Sequence, residues 1–143
     1  MNERDASTLK EISQYLSLAE LYQTSATYFH SDDPPDTDNT KFNFNYAGKF
    51  ETADDRTLKC SVRFRLVGRL KRKIVVKIEC IYTISYSLIG GKKIGDFNND
   101  HFKVVSEHNA PYNAWPYLRE FIQRALSNMD LPTIRIPLFR VMC

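Results

Sequence analysis

The sequence predicts an α+β fold: a four-stranded antiparallel meander sheet with one main amphipathic helix packed on one face. Two observations lead to this prediction. Apolar and polar residues alternate along three successive segments, which is the two-residue period of a half-buried strand. A later segment repeats apolar residues every three to four positions, which is the period of a helix. Its 143 residues are enough for one domain.

Composition narrows the class of protein. Hydrophobic residues make up 43% and aromatic residues 13% of the chain, which is enough for a folded core. The formal net charge of +3 is too small to argue for nucleic-acid binding by itself. Three widely spaced cysteines are typical of reduced thiols in a cytoplasmic protein. No apolar run is long enough for a membrane span, and the first residues do not resemble a signal peptide, so we expect no membrane partner and a cytoplasmic location.

The chain is interpreted as a single domain over residues 1–143. Residues 1–17 are predicted to be an N-terminal arm or short helix, residues 18–91 to form the sheet, and residues 92–143 to be a helical and C-terminal segment. A first strand is predicted over about 18–29. The loop at 31–40 is rich in Pro, Asp and Asn, which do not favour a strand ladder.

Three further strands are predicted from their alternation. A hairpin turn at Ala53–Arg56 and a basic loop at Gly68–Lys73 separate them, and Gly90-Gly91 ends the sheet. The apolar face is formed by Phe42, Phe44, Tyr46 and Phe50, then Leu58, Cys60, Val62, Phe64 and Leu66, then Ile74, Val76, Ile78, Cys80, Tyr82, Ile84, Tyr86 and Leu88. The opposite, solvated face is formed by Lys41, Asn43, Asn45 and Lys49, then Lys59, Ser61, Arg63 and Arg65, then Lys77, Glu79, Thr83 and Ser85.

The main helix is predicted over about 114–129. Asn113 is expected to cap it, and Pro116 falls in the first turn, where a missing N–H is tolerated. Asp130 and the Leu131-Pro132 pair are expected to end it. Residues 96–109 are predicted to be a short helix or a packed loop. The buried stripe of the main helix is Leu118, Phe121, Ile122, Ala125 and Met129.

The predicted apolar sheet face is wide for one short helix. Exposing half of it would forfeit many kcal/mol, at about 25 cal/mol per Å² of apolar area. We therefore expect that another copy of the chain, or a bound client, covers what the helix does not.

Residues with catalytic or metal-binding potential do not form a recognisable site. His30, His101 and His108 are far apart and lack metal-ligand spacing, so no metal and no cofactor is expected. Cys60 and Cys80 are expected to be buried, inert thiols, with a small hydrolase that uses one of them as the remaining enzymatic alternative. The sequence thus predicts a protein that is not an enzyme.

A basic loop supplies the other alternative. Arg69, Lys71, Arg72 and Lys73 lie in the predicted loop 68–73, with Arg63 and Arg65 on the solvated face. Such a cluster could bind the phosphates of RNA. The aromatic residues, however, are expected on the face opposite the arginines, so nucleic-acid binding stays the second hypothesis.

One segment resembles a known family. The run Asn113-Ala-Trp-Pro-Tyr-Leu-Arg-Glu, followed further on by Met129-Asp-Leu-Pro-Thr-Ile, is similar to the bacterial SecB chaperone family. The order of a first strand, a long crossover, a three-strand meander and a helix also fits that family. The resemblance covers roughly residues 18–138, and its motif positions are Trp115, Pro116, Tyr117, Arg119, Glu120, Leu131 and Pro132.

The resemblance implies a holdase that binds unfolded polypeptides without ATP. It implies a dimer of dimers, and in many members delivery of clients to the SecA motor for export. Client peptides in the family bind long apolar grooves. On this sequence the corresponding peptide-binding positions are Phe42, Phe44, Ile134, Leu138 and Phe139.

Two departures from the family shape the expected role. We expect no counterpart to the second, C-terminal helix of the family in residues 1–143. Its solvated sheet face is basic, whereas SecA docking in the family resembles an acidic-surface interaction, so we do not expect SecA docking in the ordinary manner. A subset of the family serves as dedicated chaperones of antitoxins, and a single-client role of this kind suits a basic member.

Overall fold

A computed structural model of the chain describes residues 1–32 and 39–131. Four strands form one sheet, and the helices follow the last strand apart from a short helix at the N-terminus. The elements in order are α1 (Glu3–Ser13), β1 (Leu16–His30), β2 (Lys41–Thr52), β3 (Thr57–Leu70), β4 (Lys73–Leu88), a 3₁₀ turn (Ile94–Asp96), α2 (Asn99–Val104), a π-helical turn (Val105–Asn109) and α3 (Ala110–Asn128).

The sheet is antiparallel throughout, with the strand order β1-β4-β3-β2. Strands β2, β3 and β4 form a meander, and β1 lies beside β4 because the crossover carries the chain from one edge of the sheet to the other. The predicted α+β class with a four-stranded antiparallel sheet and one main helix is confirmed.

The two hairpins have tight turns. At 53–56 the Ala53 amide donates to the Thr57 carbonyl and the Arg56 amide donates to Asp54, so the predicted turn is confirmed. The prediction of a basic loop over 68–73 was wrong, because the strands continue to Leu70 and from Lys73. Only Lys71 and Arg72 form the turn, with φ of 50° and 70°, the left-handed pair that suits the twist of a two-residue hairpin.

The main helical region is longer than the sequence predicted. It runs from Asn99 to Asn128 through the π-helical turn, and it begins at the cap Asn98, whose side chain accepts from the His101 amide. Asn113 is therefore not the cap but an interior residue. Pro111, at the start of α3, has no N–H to donate to the carbonyl four residues earlier. The π-helical turn lies directly before α3, where the regular α-helical hydrogen bond cannot form. The end at Asn128 agrees with the predicted stop, and Asp130 has φ of 54°.

The core lies between the sheet and the long helix. The predicted apolar residues of β3 are 6% exposed or less, and so are those of β4 from Val76 onward. Ile74 is the exception, because a register shift after Gly68 directs both Val75 and Val76 into the core. Leu118, Ile122, Ala125 and Leu126 of α3 and the C-cap residue Met129 pack on this surface. The predicted stripe is confirmed except that Phe121 is only partly buried and Leu126, which was not predicted, is fully buried. The expected broad deficit of cover is thus wrong for β3 and β4, because the helical region is longer than predicted.

Helix α1 packs on α2 and the π-turn. Ile12 is fully buried, and Glu11 lies 2.8 Å from Nε2 of His101. The His101 Nδ1 accepts from the Asn98 amide, so the ring donates to Glu11 from Nε2 while it caps α2 with Nδ1. This places the N-terminal helix at the end of the sheet where β4 leaves for the helices.

Candidate functional site

An aromatic row on β2 faces the helices and is only partly covered. Phe44 packs edge-on to Trp115 with ring centroids 5.1 Å apart, and it stacks beside Phe64 at 6.1 Å. Phe42 and Phe44 are half-buried, and Tyr46 is 38% exposed. The structure therefore places the predicted peptide-binding residues Phe42 and Phe44 side by side on an accessible apolar strip at the sheet edge.

Two glycines define the limits of this strip. A Cβ on Gly48 would lie 1.8 Å from the carbonyl oxygen of Ser106, so the π-turn crosses β2 at this residue. A Cβ on Gly68 would lie 2.9 Å from the Phe42 ring, so that ring rests on bare β3 backbone. The helices cover β2 from Gly48 onward, where Phe50 packs on Phe102 at 5.7 Å, and leave the first half of the strand accessible.

A cleft of about 390 Å³ continues the strip at the β2 edge. It is lined by Tyr46, Ala47, Gly48, Glu107 and His108. Burial, with the nearby Glu107 carboxylate as a second cause, raises the pKa of the Tyr46 phenol. Among the strands of residues 1–32 and 39–131, β2 pairs with β3 alone, and its other edge runs along the same cleft. The arrangement suits an extended peptide that makes main-chain hydrogen bonds and inserts apolar side chains.

A second apolar surface lies on the opposite side of the helix, at β1. Leu18 is 49% and Tyr28 47% exposed on the helix-facing side of the strand. Tyr117 of α3 is 54% exposed and lines a cleft together with Leu21 of β1. This cleft between β1 and α3 has a volume of about 210 Å³ and also includes Phe121 in its lining. This surface was not predicted from the sequence. The sequence feature that could have predicted it is the aromatic and β-branched composition of the first strand, because neither face of that strand is wholly polar.

Polar groups inside the core are structural. The Tyr86 hydroxyl donates to Oδ1 of Asn109 at 2.6 Å and accepts from Nδ2 of Asn113 at 2.8 Å, which joins β4 to the π-turn and α3. Burial raises the pKa of Cys60 and of Cys80 to about 12, so both side chains are neutral thiols at physiological pH. The prediction that both thiols are buried is confirmed, and burial disfavours the thiolate form at either position.

Over residues 1–32 and 39–131, no group of three or more His, Cys, Asp or Glu side chains could hold a metal ion. Within the same part of the chain, no helix combines the length and apolar character needed to cross a membrane.

The first part of the family motif, residues 115–120, lies inside α3 rather than at a helix start. Trp115 is in the core at 6% exposure, whereas Pro116 is exposed, and Glu120 forms an ion pair with Arg124 one turn later. Leu131 packs against the core. Four further predicted positions, Pro132, Ile134, Leu138 and Phe139, fall beyond the part of the chain that the structure describes.

The side of the sheet away from the helices, here called the outer face, is strongly basic. Direct pairing across the strands puts Lys41 opposite Arg69, Asn45 opposite Arg65, and Arg65 opposite Glu79. The register confirms that the residues predicted for the solvated face share one side of the sheet, but Thr83 and Ser85 are buried there at 6% and 8% exposure, so their predicted solvation was wrong. Another part of the prediction was wrong: β1 places Tyr22 opposite Thr83 and Phe29 opposite Lys77, so two aromatic residues share the outer face with the arginines.

Comparison with known proteins identifies the fold. The chain superimposes on the SecB-like chaperone Rv1957 of Mycobacterium tuberculosis, solved in complex with a ChAD peptide from the antitoxin HigA1 (Rv1956), with a TM-score of 0.82 over 96% of this chain and 99% of that one. Sequence identity is 7%, so the likeness is one of fold. A protein of unknown function from Streptococcus agalactiae matches 85% of this chain and 96% of its own, at 13% identity and a TM-score of 0.45, too low to support an argument.

No family model matches the sequence, and neither does any curated protein. The resemblance read from the Trp115–Glu120 motif is confirmed by the structural comparison alone: this chain has the fold of a SecB-like chaperone.

Proposed function

We propose that this chain, which has the fold of a SecB-like chaperone, is an ATP-independent holdase of the cytoplasm that binds unfolded polypeptide segments. The observation that carries the proposal is the full-length match to a chaperone that was solved with a peptide from another protein. The accessible aromatic strip on β2 supports it, because it provides in this chain what such a ligand requires.

The proposed client site runs along the first half of β2. Phe42, Phe44 and Tyr46 provide apolar contacts, and Trp115 forms the wall that Phe44 packs against. The cleft beside Glu107 and His108 extends the site along the strand edge. Ile134, Leu138 and Phe139 remain proposed members of the same site from the family resemblance.

We propose that the client class is an extended, apolar segment of one dedicated partner, such as an antitoxin, in preference to export substrates in general. The peptide bound by the structural neighbour comes from an antitoxin, which supports the first role. The basic outer face argues against the second, because a basic motor protein would be repelled there.

Self-association is part of the proposal. The half-exposed Leu18 and Tyr28 lie on β1, whose outer strand edge has no partner in the described sheet. Exposed apolar side chains beside an unpaired strand edge are typical of an interface between copies. We propose that β1 joins two protomers and that two such pairs form the assembly.

The test compares two variants of one strand. Phe42→Asp with Tyr46→Asp changes the helix side of β2, and Asn43→Asp with Asn45→Asp adds the same charge to its outer side. Each protein is mixed at stoichiometric amounts with an aggregating unfolded protein, and light scattering is recorded without ATP.

We expect the unmodified chain and the Asn43/Asn45 variant to suppress aggregation, and the Phe42/Tyr46 variant to lose most of that suppression. If the unmodified chain neither suppresses scattering nor binds the unfolded protein, the holdase proposal is wrong. If both variants are equally active, the holdase stands and the β2 site does not.

A further inference from the structure

The outer face combines an excess of positive charge with no covering helix among the described elements. The helices pack on the opposite side, where Trp115, Phe44 and Phe64 meet. Direct pairing places seven cations and three carboxylates on the outer side of the described strands. The cations are Lys41, Lys49, Lys59, Arg63, Arg65, Arg69 and Lys77, and the carboxylates are Glu20, Glu51 and Glu79.

The carboxylates within the face do not balance this charge. Glu79 alone serves two arginines, with its Oε1 2.8 Å from Nη2 of Arg63 and its Oε2 3.9 Å from Nε of Arg65. Lys41 and Arg69 face each other directly across the strands. Like charges at directly opposed positions of a sheet are destabilising. The fold therefore retains a repulsion that an external anion would relieve.

A depression in this face is suited to carboxylates. It has a volume of about 260 Å³, and the polar side chains in its lining are those of Lys49, Glu51, Lys59, Ser61 and Thr83. The small hydroxyl side chains leave space between the lysines, and both residue types donate hydrogen bonds. Glu51 lies 3.9 Å from Lys59 at one rim, so the Lys49 side of the depression carries the greater positive charge.

Two aromatic side chains give the face apolar anchors. Tyr22 is 46% and Phe29 52% exposed. Phe29 pairs with Lys77 on β4, and Lys77 pairs with the buried Val67 on β3. At about 3.3 Å per residue, the two rings are about 20 Å apart along β1. Neighbouring bases of a single-stranded nucleic acid could not stack on both, whereas an amphipathic polypeptide could reach each ring separately.

We infer that the outer face docks an acidic, amphipathic polypeptide segment of a partner protein, whose carboxylates lie on the lysine and arginine rows and whose apolar residues contact Tyr22 and Phe29. This interaction is separate from client binding, which we place on the other side of the sheet. A partner bound there would leave the β2 strip accessible, so the chain could hold a client and a partner together.

The test uses the full chain and a fluorescein-labelled peptide in which Glu and Leu alternate. One variant carries Lys41→Gln, Lys49→Gln and Arg69→Gln, and its matched control carries Lys10→Gln, Lys93→Gln and Lys103→Gln at exposed positions off the outer face. Each set of three changes lowers the net charge from +3 to 0. Fluorescence anisotropy at two salt concentrations measures binding.

We expect the outer-face variant to bind the peptide about tenfold more weakly and the control variant to bind like the unmodified chain, with affinity falling as salt rises. An excess of unfolded client should not displace the peptide, and the outer-face variant should keep its suppression of aggregation. Equal loss in both variants would overturn the inference, and so would binding of oligouridylate without binding of the acidic peptide.

Discussion

Strands β4 and β1 are paired neighbours, but their helix-facing side chains differ in exposure: those of β4 are buried and those of β1 are half-exposed. Their register joins Tyr86 to Leu18 and Ile78 to Tyr28, so each pair points to the same side of the sheet. On β4 those residues are 2% and 1% exposed, and on β1 they are 49% and 47% exposed. The exposure differs because α3 packs over β3 and β4 and does not extend far enough to cover the edge strand β1.

The comparison locates the apolar surface that the fold does not cover. Central strands are sealed by the long helix, and the two edge strands keep accessible apolar residues, Phe42 and Tyr46 on β2 as well as Leu18 and Tyr28 on β1. One sheet therefore combines a buried core on β3 and β4 with a rim, the accessible apolar residues of the edge strands β1 and β2. This division is what the proposed binding of unfolded segments requires, because the edges can bind them while the buried core keeps the fold intact.

The largest effect that tests this division is expected at Trp115. Trp115→Ala removes a core side chain that packs on Phe44 and Phe64, and should lower the free energy of unfolding by about 3–5 kcal/mol. Tyr117→Ala, two residues away and 54% exposed, should cost less than about 1 kcal/mol. Urea denaturation followed by far-UV circular dichroism measures both. Equal losses would contradict the proposed boundary between core and rim.

Gly48→Ala tests where the cover of β2 begins. Its Cβ would meet the Ser106 carbonyl, so the π-turn must shift, and overpacking of this kind costs about 1–3 kcal/mol. Ala47→Ser adds one heavy atom at the neighbouring position, which is exposed, and should have little effect. Thermal unfolding of the two variants measures the difference, and an unaffected Gly48→Ala protein would mean that the helix does not cross the strand there.

Alkaline pH should destabilise the covered strands. Burial raises the pKa of Cys60, Cys80 and Tyr82 to about 12, so the folded state holds their protons where the unfolded chain has released them. The free energy of unfolding should be constant below about pH 9 and fall between about pH 9 and 12, by at most about 1.4 kcal/mol per pH unit for each group.

Urea denaturation at a series of pH values measures this dependence. Replacing both buried thiols, in a Cys60→Ala/Cys80→Ala protein, should make the decline shallower although the protein is less stable overall. A decline that keeps its slope in that variant would show that the thiols do not contribute to it.

The smallest effect on stability is expected at the β1 rim, where the effect on assembly should be large. Leu18→Lys with Tyr28→Lys should change the free energy of unfolding by less than about 1 kcal/mol, because both side chains are half-exposed. Native mass, from light scattering after size exclusion, should fall to that of smaller species. Ser17→Lys with Thr27→Lys changes the outer side of the same strand and should leave the mass unchanged.

Strands β3 and β4 were predictable from sequence because one face is buried along most of their length, which imposes an alternation that only the bulge at Val75 interrupts. Strand β1 was predictable only as a strand: bulges near Ala19 and Thr24 interrupt its alternation, so its two faces could not be assigned by counting. The start of the main helix was missed because Asn113 and Pro116 resemble a local start signal. The Asn98 cap begins the helical region earlier, and Asn113 bonds to Tyr86, a contact that no local pattern contains.

The residue sequence alone determined the α+β class, the central strands, the apolar stripe of α3 and the pairing of apolar with basic sheet faces, because these depend on periodicity and turn chemistry. Only the tertiary structure decided which apolar residues stay accessible. That outcome depends on how far one helix extends across a sheet and where its backbone meets Gly48, and both are set by contacts between residues distant in the chain.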